Sequence, residues 1–273
     1  MDLDYPVLTD ELFKKFALML FELSGIKLQD HKKYLLIHRL SKYVGPTKPF
    51  HSFEQYYHAL LDDKSGKLTT DFLNVLTTNF TFFFREPLHF DFLREYLGKA
   101  SQTEPYIRIW SAACSSGEEP YSMAIAITQA VPDYKNYDIK VLASDISRKM
   151  LNAAETGVYH YTKVRGHLDD SLLRNYFDFD RETNAFTVKQ FLRELIAYRY
   201  INLLEPYPFH KAFDLVFLRN VLIYFDNKEK EYIINKILSY IKPGGYLILG
   251  LSESLVGIDH KLKINRNSIY QKV

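Results

Sequence analysis

The stretch that decides the fold is Ile107-Arg108-Ile109-Trp110-Ser111-Ala112-Ala113-Cys114-Ser115-Ser116-Gly117-Glu118-Glu119-Pro120-Tyr121-Ser122. Its apolar first part predicts a buried strand over residues 107–111, and a helix is predicted from about Pro120 through Ala130. The small residues between them let the backbone approach a ligand closely, and the following helix N-terminus directs free N–H groups to the same place. This order is typical of the first strand–loop–helix unit of a doubly wound sheet, where such folds bind nucleotide-like ligands.

The loop contains one glycine, Gly117, and therefore does not match the glycine-rich fingerprint of dinucleotide-binding proteins. Glu118 and Glu119 stand where they would repel a pyrophosphate. Carboxylates at this position suit a ligand rich in hydroxyl and amino donors, such as an adenosyl amino acid. A strand-to-helix turn that binds no ligand is the alternative interpretation.

The composition is that of an ordinary globular protein, with 273 residues, 47% hydrophobic and 25% charged. The net charge of +2 excludes a strongly basic nucleic-acid-binding protein, so we expect no nucleic-acid partner. The single cysteine, Cys114, excludes an intrachain disulfide. The N-terminus lacks the charge order of a signal peptide, and no uncharged apolar run reaches the ~18 residues that span a bilayer. We therefore expect a cytoplasmic protein without membrane insertion.

The N-terminal third of the chain carries helical patterns and no strand pattern. Apolar residues recur three and four positions apart over residues 9–25, where Gly25 provides a stop. A second helix is predicted over residues 30–44, and Ser52 opens a third with a capping box. We therefore predict an all-helical N-terminal domain over residues 1–85, followed by a second domain over residues 86–273.

The second predicted helix carries a basic face without an acidic residue between Asp30 and Val44. A charge run of this kind is usually a solvated helix face. The alternative is a surface that docks an acidic partner, and the sequence alone favours neither strongly. The candidate docking residues are Lys32, Lys33, Arg39 and Lys42.

A phenylalanine-rich segment joins the two predicted domains. Four phenylalanines lie within residues 80–84, and most of them are expected in a core. Asn79, Thr81 and Arg85 are polar residues set into this apolar run, so each needs a partner. Either a ligand or backbone groups would satisfy them.

The remaining strands follow in the order expected of a doubly wound sheet. A predicted strand over residues 139–144 is followed by Asp145, whose carboxylate can accept both hydroxyls of a ribose or cap the next helix. Further strands are predicted over residues 213–218 and 246–251, and residues 268–270 are predicted to add an edge strand. Residues 157–200 are predicted to form a small α+β insertion. This succession is typical of the methyltransferase version of the fold.

Several motifs agree at once over residues 77–86, 110–122, 143–146 and 219–226, with Gly25-Ile26 and Asp30-His31-Lys32 upstream. Together they resemble the chemotaxis-receptor glutamate methyltransferases of the CheR family, in the right order over nearly the whole chain. The resemblance implies an α/β fold: a Rossmann-like S-adenosylmethionine-dependent methyltransferase domain with a small α+β insertion, preceded by an all-helical domain. It also implies methyl transfer from S-adenosylmethionine to glutamate side chains on the cytoplasmic helices of chemoreceptors, which leaves S-adenosylhomocysteine.

The resemblance also implies roles for residues at matching positions. Asp145 would hold the ribose hydroxyls of the cofactor, and the catalytic residues near the transferred methyl group would be Arg85 and Tyr224. Arg219 is a weaker candidate, because an arginine at a strand end is often structural. The other implied cofactor contacts are Asn79, Thr81, Arg85, Glu119, Asn202, Leu203 and Asn220.

The residues present suit this chemistry. A glutamate carboxyl has an ordinary pKa of ~4.3, so the nucleophile is already ionised near neutral pH and needs neither a general base nor a metal. The histidine pairs His31/His38, His51/His58 and His160/His167 are seven positions apart. This is not the spacing of ligand pairs on one helical turn, so no metal site is predicted. Exclusion of water and in-line alignment of the carboxylate with the methyl group are expected to contribute most to the rate enhancement. We expect Arg85 to hold the carboxylate of the cofactor or to orient the substrate.

Two alternatives stay open at this point, and we expect a monomer in each case. One is a methyltransferase of the same fold that acts on another protein or a small molecule, and the other is a non-catalytic scaffold that binds the cofactor. In some family members the insertion captures a receptor's C-terminal peptide. Because the loop over residues 178–184 lacks the glycine that peptide-binding members share, we predict that this chain does not need the tail peptide.

Overall fold

The computed structural model describes residues 6–77 and 79–273, which form two compact units. The first unit contains the chain up to residue 77 together with residues 224–226, and the second begins at Asn79. The sequence-based boundary at residue 85 therefore differs from the one observed. The physical reason is that Phe83 and Phe84 pack into the core of the second unit. The Phe84 N–H also donates a hydrogen bond of 2.9 Å to Ser122 Oγ there.

The first unit is helical around a core that includes Phe16, Leu36 and Tyr56. Thr9 caps the first helix by accepting a hydrogen bond from the Leu12 N–H, and Gly25 ends it with a φ of 73°. The helices are α1 (Asp10–Ser24), α2 (Lys33–Leu40), α3 (Phe53–Leu61) and α4 (Lys67–Leu76).

The predicted second helix is shorter than its sequence pattern indicated. Residues Asp30–Lys32 form a 3₁₀ turn, and the α-helical part covers only Lys33–Leu40. The chain then turns so that Val44 becomes buried and forms an isolated β-bridge with Phe50. The helix thus ends at Leu40, and the turn that follows it buries Val44 in the core.

The second unit contains the remaining elements. Its helices are α5 (Pro87–Ala100), α6 (Glu118–Ala130), α7 (Arg148–Thr156), α8 (Tyr161–Val164), α9 (Asp170–Tyr176), α10 (Gln190–Arg193) and α11 (Asn227–Ser239). Its strands are β1 (Ile107–Ala112), β2 (Ile139–Asp145), β3 (Val158–His160), β4 (Phe177–Asp180), β5 (Ala185–Val188), β6 (Ile196–Tyr200), β7 (Phe213–Leu218), β8 (Ile241–Leu249), β9 (Leu262–Arg266) and β10 (Ile269–Lys272).

Seven strands form the main sheet in the order β6-β2-β1-β7-β8-β10-β9. The first five of these strands are parallel, and β10 is antiparallel to both of its neighbours. At the centre, Ile109 pairs with Val141 on one side and with Leu215 on the other. Helices cover both faces of such a sheet, which explains why its central strands are buried at nearly every position. The carboxyl ends of β2, β1 and β7 therefore lie side by side.

Two strand predictions need correction. The segment Ile196–Tyr200, expected inside the insertion, is β6 and pairs in parallel with β2 from Val141↔Ile196 to Asp145↔Tyr200. The separate small sheet has the spatial order β3-β5-β4. Its last strand along the chain is β5, which ends at Val188. The terminal segment expected at the edge, β10, lies between β8 and the edge strand β9. Strand β9 gave no sequence signal because its residues are mostly exposed and polar.

Candidate active site

The loop after β1 has a strained and closely packed backbone. Ala113 and Ser115 have φ values of 85° and 49°, which lie in the left-handed region that non-glycine residues rarely adopt. The N–H groups of Ala113 and Cys114 both donate to the Ser144 carbonyl at 2.8 Å. At Gly117, with a φ of 97°, a Cβ atom would lie 2.7 Å from Ala154 Cβ. Left-handed non-glycine residues cost about 1–3 kcal/mol each, and they persist where the surroundings over-determine them, often at ligand sites.

Asp145 links this loop to the next helix. It is buried at the end of β2, where one carboxylate oxygen accepts the Ser115 N–H and the other accepts the Ser147 N–H, both at 2.8 Å. Ser147 itself caps α7 by accepting a hydrogen bond from Met150, so Asp145 is not the helix cap. Burial raises the pKa of the Asp145 carboxyl, and the backbone amides oppose that shift. Each oxygen keeps acceptor capacity for a ligand hydroxyl.

The two glutamates at the start of α6 point to different partners. The Glu118 side chain is fully buried and accepts hydrogen bonds from Ser116 Oγ at 2.7 and 3.0 Å, so it faces its own loop. Burial raises the pKa of Glu118. Glu119 instead accepts from Ser111 Oγ at 2.6 Å and from Arg219 Nη1 at 2.7 Å. Glu119, a predicted cofactor contact, is therefore also one half of a buried ion pair.

Arg219 lies at the centre of a buried polar network. Its side chain is 2% exposed and, besides Glu119, contacts the Arg85 carbonyl and Glu86, with Nη2 3.0 Å from Glu86 Oε2. His89 Nδ1 lies 3.4 Å from the same Glu86 oxygen. Burial is the largest single influence on the Glu86 carboxyl and raises its pKa. The Arg219 charge and the hydrogen bonds to Glu86 together outweigh burial, so the pKa of Glu86 is lowered. The network holds the end of β7 against the segment that begins α5.

Asn220 follows Arg219 in a left-handed conformation, with a φ of 56°. Its side-chain Nδ2 lies 3.4 Å from Glu86 Oε1, and its N–H donates to Glu253 Oε2 at 2.7 Å. The predicted cofactor contact Asn220 thus stands at the carboxyl end of β7, two strands from Asp145 in the sheet.

The phenylalanine-rich segment meets the β1 loop through Asn79, whose carbonyl accepts a hydrogen bond of 3.2 Å from Ser115 Oγ. Thr81 and Arg85 are half-buried. Arg85 Nη1 donates to the Phe80 carbonyl at 2.9 Å, and the guanidinium lies 5.7 Å from the Phe80 ring centre. Most of the four phenylalanines were expected in a core, but only Phe83 is buried, Phe84 packs against the same core while half-buried, and Phe80 is exposed.

Asn202 and Leu203 follow β6, the neighbour of β2 in the sheet. Both are buried. Asn202 Oδ1 accepts the Leu204 N–H at 3.0 Å, and the Leu203 carbonyl accepts the Tyr207 hydroxyl at 2.8 Å. The Ile201 N–H donates to the Asp145 carbonyl, so this turn and Asp145 occupy one edge of the sheet.

The second predicted catalytic residue, Tyr224, ends a 3₁₀ turn over Leu222–Tyr224. It belongs to the segment 224–226 that clusters with the first unit, where its carbonyl accepts the Lys27 N–H at 3.4 Å. Its catalytic role stays a prediction.

Two of the four docking candidates are held by an ion pair or by hydrogen bonds. Lys33 Nζ lies 2.5 Å from Asp10 of α1, an acidic partner outside the helix that the sequence pattern did not reveal. Arg39 is half-buried and donates to the carbonyls of Val75 and Leu76 at the end of α4. Asp10 therefore opposes the Lys33 charge, whereas the Arg39 guanidinium is engaged by backbone carbonyls. Lys42 is exposed.

Sequence reasoning missed Glu86, His89 and Glu253 as parts of this region. The signal for Glu253 was available, since a lone carboxylate soon after a buried strand is the same pattern that marked Asp145. Glu86 directly follows Arg85 within a motif already singled out. Over residues 6–77 and 79–273, no group of three or more His, Cys, Asp or Glu side chains is placed to hold a metal ion.

The donor set fits an adenosyl amino acid. A buried carboxylate with spare acceptor capacity, Asp145, suits ribose hydroxyls, and small residues leave the loop backbone open to close approach. The acidic first turn of α6 disfavours a pyrophosphate ligand. A mainly parallel doubly wound sheet with this site defines the class of S-adenosylmethionine-dependent methyltransferases.

Comparison with known proteins agrees with this class. Residues 79–270 match the family described as CheR methyltransferase, SAM binding domain, and residues 11–77 match CheR methyltransferase, all-alpha domain. The chain therefore belongs to the CheR methyltransferase family, and its larger unit is an S-adenosylmethionine-binding methyltransferase domain. Among the described residues, none of the helices has the length and apolar character needed to cross a membrane.

Three curated relatives are each called chemotaxis protein methyltransferase. The protein from Borreliella burgdorferi is 36% identical over 94% of this chain and 92% of its own length. The protein from Vibrio anguillarum is 34% identical over 95% and 94%, and that from Salmonella typhimurium is 33% identical over 96% and 90%. Among solved structures, a glycopeptide N-methyltransferase complexed with sinefungin is 13% identical over 59% of this chain and 48% of its own, with a TM-score of 0.35.

Proposed function

We propose that this protein methylates glutamate side chains on the cytoplasmic helices of chemoreceptors, giving glutamate methyl esters and S-adenosylhomocysteine for chemotactic adaptation. The observation that carries this proposal is the similarity, over nearly the whole chain, to proteins called chemotaxis protein methyltransferase. Both domains of the family are matched, with the all-alpha domain first and the SAM binding domain after it along the chain.

The protein's task in this reaction is positioning. When bound, S-adenosylmethionine supplies an electrophilic methyl group on a sulfonium. The glutamate carboxylate is ionised at neutral pH because its ordinary pKa is ~4.3, so no side chain has to remove a proton. Alignment of the reactants and exclusion of water then account for most of the rate enhancement.

Asp145 would accept the ribose hydroxyls of the cofactor, because it is a buried carboxylate at a strand end whose oxygens keep acceptor capacity. Asn202 and Leu203 would line the adenine at the neighbouring strand end. Asn79, Thr81 and Asn220 would contact the rest of the cofactor. Glu119 would act largely through Arg219, since that ion pair fixes the loop ends around the ligand.

Arg85 and Tyr224 would act near the transferred methyl group. A cation beside the nucleophile would hold electron density on the carboxylate and make it less reactive. Arg85 is therefore assigned to the cofactor carboxylate or to substrate orientation. Its guanidinium, held by the Phe80 carbonyl, is half-buried and keeps further donors for such a partner.

Helix α2 with the turns on either side of it would dock the receptor, whose methylation helices are rich in glutamate. Lys32 and Lys42 are the cations on this surface to which we assign docking, because Lys33 is ion-paired with Asp10 and Arg39 is hydrogen-bonded to the end of α4. His31 and His38 are exposed beside them. Exposed charges contribute little individually, about 0–1 kcal/mol each, but act together on the encounter rate.

Incubation with methyl-labelled S-adenosylmethionine and receptor cytoplasmic fragments tests this function. We expect label to enter the receptor and to be released by mild base, as expected of a carboxyl methyl ester. The receptor with its methyl-accepting glutamates changed to alanine is the matched control. Label that enters other proteins or small molecules but not receptor fragments would indicate a different substrate for the same fold.

A further inference from the structure

Glu253 is a buried carboxylate for which the proposed reaction has no chemical use. It is 7% exposed and follows β8 at the carboxyl edge of the sheet. Its oxygens accept three backbone N–H groups: Asn220 at 2.7 Å, Leu222 at 2.9 Å and Gly250 at 2.9 Å. Burial raises the pKa of Glu253, and these amides oppose the shift. One side chain thus joins the end of β8 to the turn that follows β7.

The turn it holds contains Asn220 in a conformation that needs support. A φ of 56° is rare for non-glycine residues, although asparagine tolerates it better than most. The N–H of Asn220 points at Glu253, and the N–H of Leu222 points at the same carboxylate. The two hydrogen bonds therefore fix the backbone on both sides of Val221.

Packing holds the same turn from a second direction. A Cβ atom at Gly250 would lie 2.4 Å from Asn220 Nδ2 and 3.0 Å from Glu253 Oε2. Real Cβ atoms do not approach so closely, so residue 250 must be glycine for Asn220 and Glu253 to keep these positions. Glu86, which directly precedes α5, contacts the Asn220 side chain as well.

We propose that Glu253 is a positioning residue that holds the Asn220 turn in the conformation that contacts the cofactor. This inference rests on the proposed function, in which Asn220 contributes to the S-adenosylmethionine site. A carboxylate suits the task because it accepts on both oxygens. A glutamine amide has one accepting oxygen and would direct its NH₂ group at backbone donors, which leaves at least one buried N–H without a partner.

The first test compares Glu253→Gln with Ser252→Ala, which changes an exposed neighbour of the same segment. Calorimetry with S-adenosylhomocysteine should show at least tenfold weaker binding for Glu253→Gln and unchanged binding for the control. In methylation assays kcat should fall, while KM for the receptor stays within about twofold. An unchanged S-adenosylhomocysteine affinity in folded Glu253→Gln would overturn the proposal.

A double-mutant comparison separates positioning from general destabilisation. Asn220→Gly removes the side chain while accepting the positive φ without strain. If Glu253 acts through Asn220, the double variant should bind S-adenosylhomocysteine within about twofold of Asn220→Gly alone. Two independent tenfold losses that multiply to about a hundredfold would overturn the proposal.

If Glu253→Gln does not fold, Gly250→Ala provides the second route, because its Cβ would press on Asn220 Nδ2 and on Glu253 Oε2. A folded Gly250→Ala protein should lose S-adenosylhomocysteine affinity in the same way, and full affinity would overturn the proposal. Failure of the proposed function shows separately, as absence of receptor methylation by the wild-type protein. Weak binding by Asn220→Gly with normal binding by Glu253→Gln would overturn this inference alone.

Discussion

At the residue scale, four carboxylates around the candidate site fall into two groups according to the partners that hold them. Glu86 and Glu119 share the guanidinium of Arg219, whereas Asp145 and Glu253 are held by backbone amides. A buried charge without such partners would cost several kcal/mol, so each partner constrains the loop that carries it. The arginine pairs fix side chains, and the amide-bound carboxylates fix loop backbones.

Asp145 gives the most direct test of the cofactor site. Replacement by alanine removes acceptors for the ribose hydroxyls and for the Ser115 and Ser147 N–H groups. Loss of hydrogen bonds to a charged group is worth ~1.5–3 kcal/mol, so S-adenosylhomocysteine should bind at least tenfold more weakly in calorimetry. Asp178→Ala, at an exposed position, is the control. Equal affinity in Asp145→Ala and wild type would remove Asp145 from the site.

His89 predicts a dependence of stability on pH. Burial, and then the nearby Arg219 charge, lower the pKa of this imidazole from its ordinary 6.5. The unfolded chain therefore binds a proton at His89 at a higher pH than the folded chain does. The resulting stabilisation is complete above pH 6.5 and is lost as the pH falls below it.

His89→Gln should accordingly flatten the loss of unfolding free energy between pH 7 and pH 5. The slope should decrease by up to about 1.4 kcal/mol per pH unit, the value for one proton. Urea unfolding at several pH values measures it, with the exposed His210→Gln as control. A slope identical to that of the wild type would show that His89 is not the group responsible.

Tyr224→Phe tests the second predicted catalytic residue, because it removes only the hydroxyl. If that hydroxyl acts near the transferred methyl group, kcat should fall by roughly tenfold or more, while S-adenosylhomocysteine affinity changes less. Tyr232→Phe, on α11, is a control for loss of an exposed tyrosine hydroxyl. Normal turnover would leave Tyr224 as a packing residue.

At the scale of elements, α2 combines two tasks that its sequence does not separate. Arg39 binds the last carbonyls of α4, where a cation also interacts favourably with the helix dipole. Lys42 is exposed, and Lys32 precedes the helix. The basic surface therefore has a structural part and a part available to a partner.

Two variants distinguish these parts. Arg39→Met should lower the stability of the helical unit by about 1–3 kcal/mol, because it leaves carbonyls at the end of α4 without a donor. Lys32→Glu combined with Lys42→Glu should instead leave the melting temperature unchanged and raise KM for the receptor severalfold at low ionic strength. The difference in KM should shrink as salt is added, because salt screens exposed charges. Normal KM in this double variant would identify the surface as merely solvated.

At the scale of the whole molecule, the ligand site resides in the larger unit, which the family match identifies as the S-adenosylmethionine-binding domain. A ligand present at 100 times its Kd stabilises the folded state by about 2.7 kcal/mol. S-adenosylhomocysteine should therefore raise the melting temperature of this unit by roughly 5–10 °C in calorimetry. The same addition to Asp145→Ala should raise it far less, and an equal rise in both proteins would place the ligand elsewhere.

The candidate site shows where prediction from sequence succeeds and fails. The position of Asp145 at the end of β2 was predicted, because a carboxylate directly after an apolar strand is visible as a local pattern. The partners of Arg219 were not predicted, since Glu86 and Glu119 are 133 and 100 residues away along the chain. The small edge strand β9 was missed because polar exposed residues carry no periodic signal.

The sequence by itself determined the alternation of strands and helices, the all-helical start and the acidic loop after β1, because each depends on local periodicity and residue size. Tertiary structure alone decided that β6 pairs with β2, that Arg39 binds the end of α4 and that Glu253 holds the Asn220 turn. These features depend on pairing between distant segments. Such pairing is selected by burial and hydrogen-bond satisfaction over the whole fold, which no local pattern encodes.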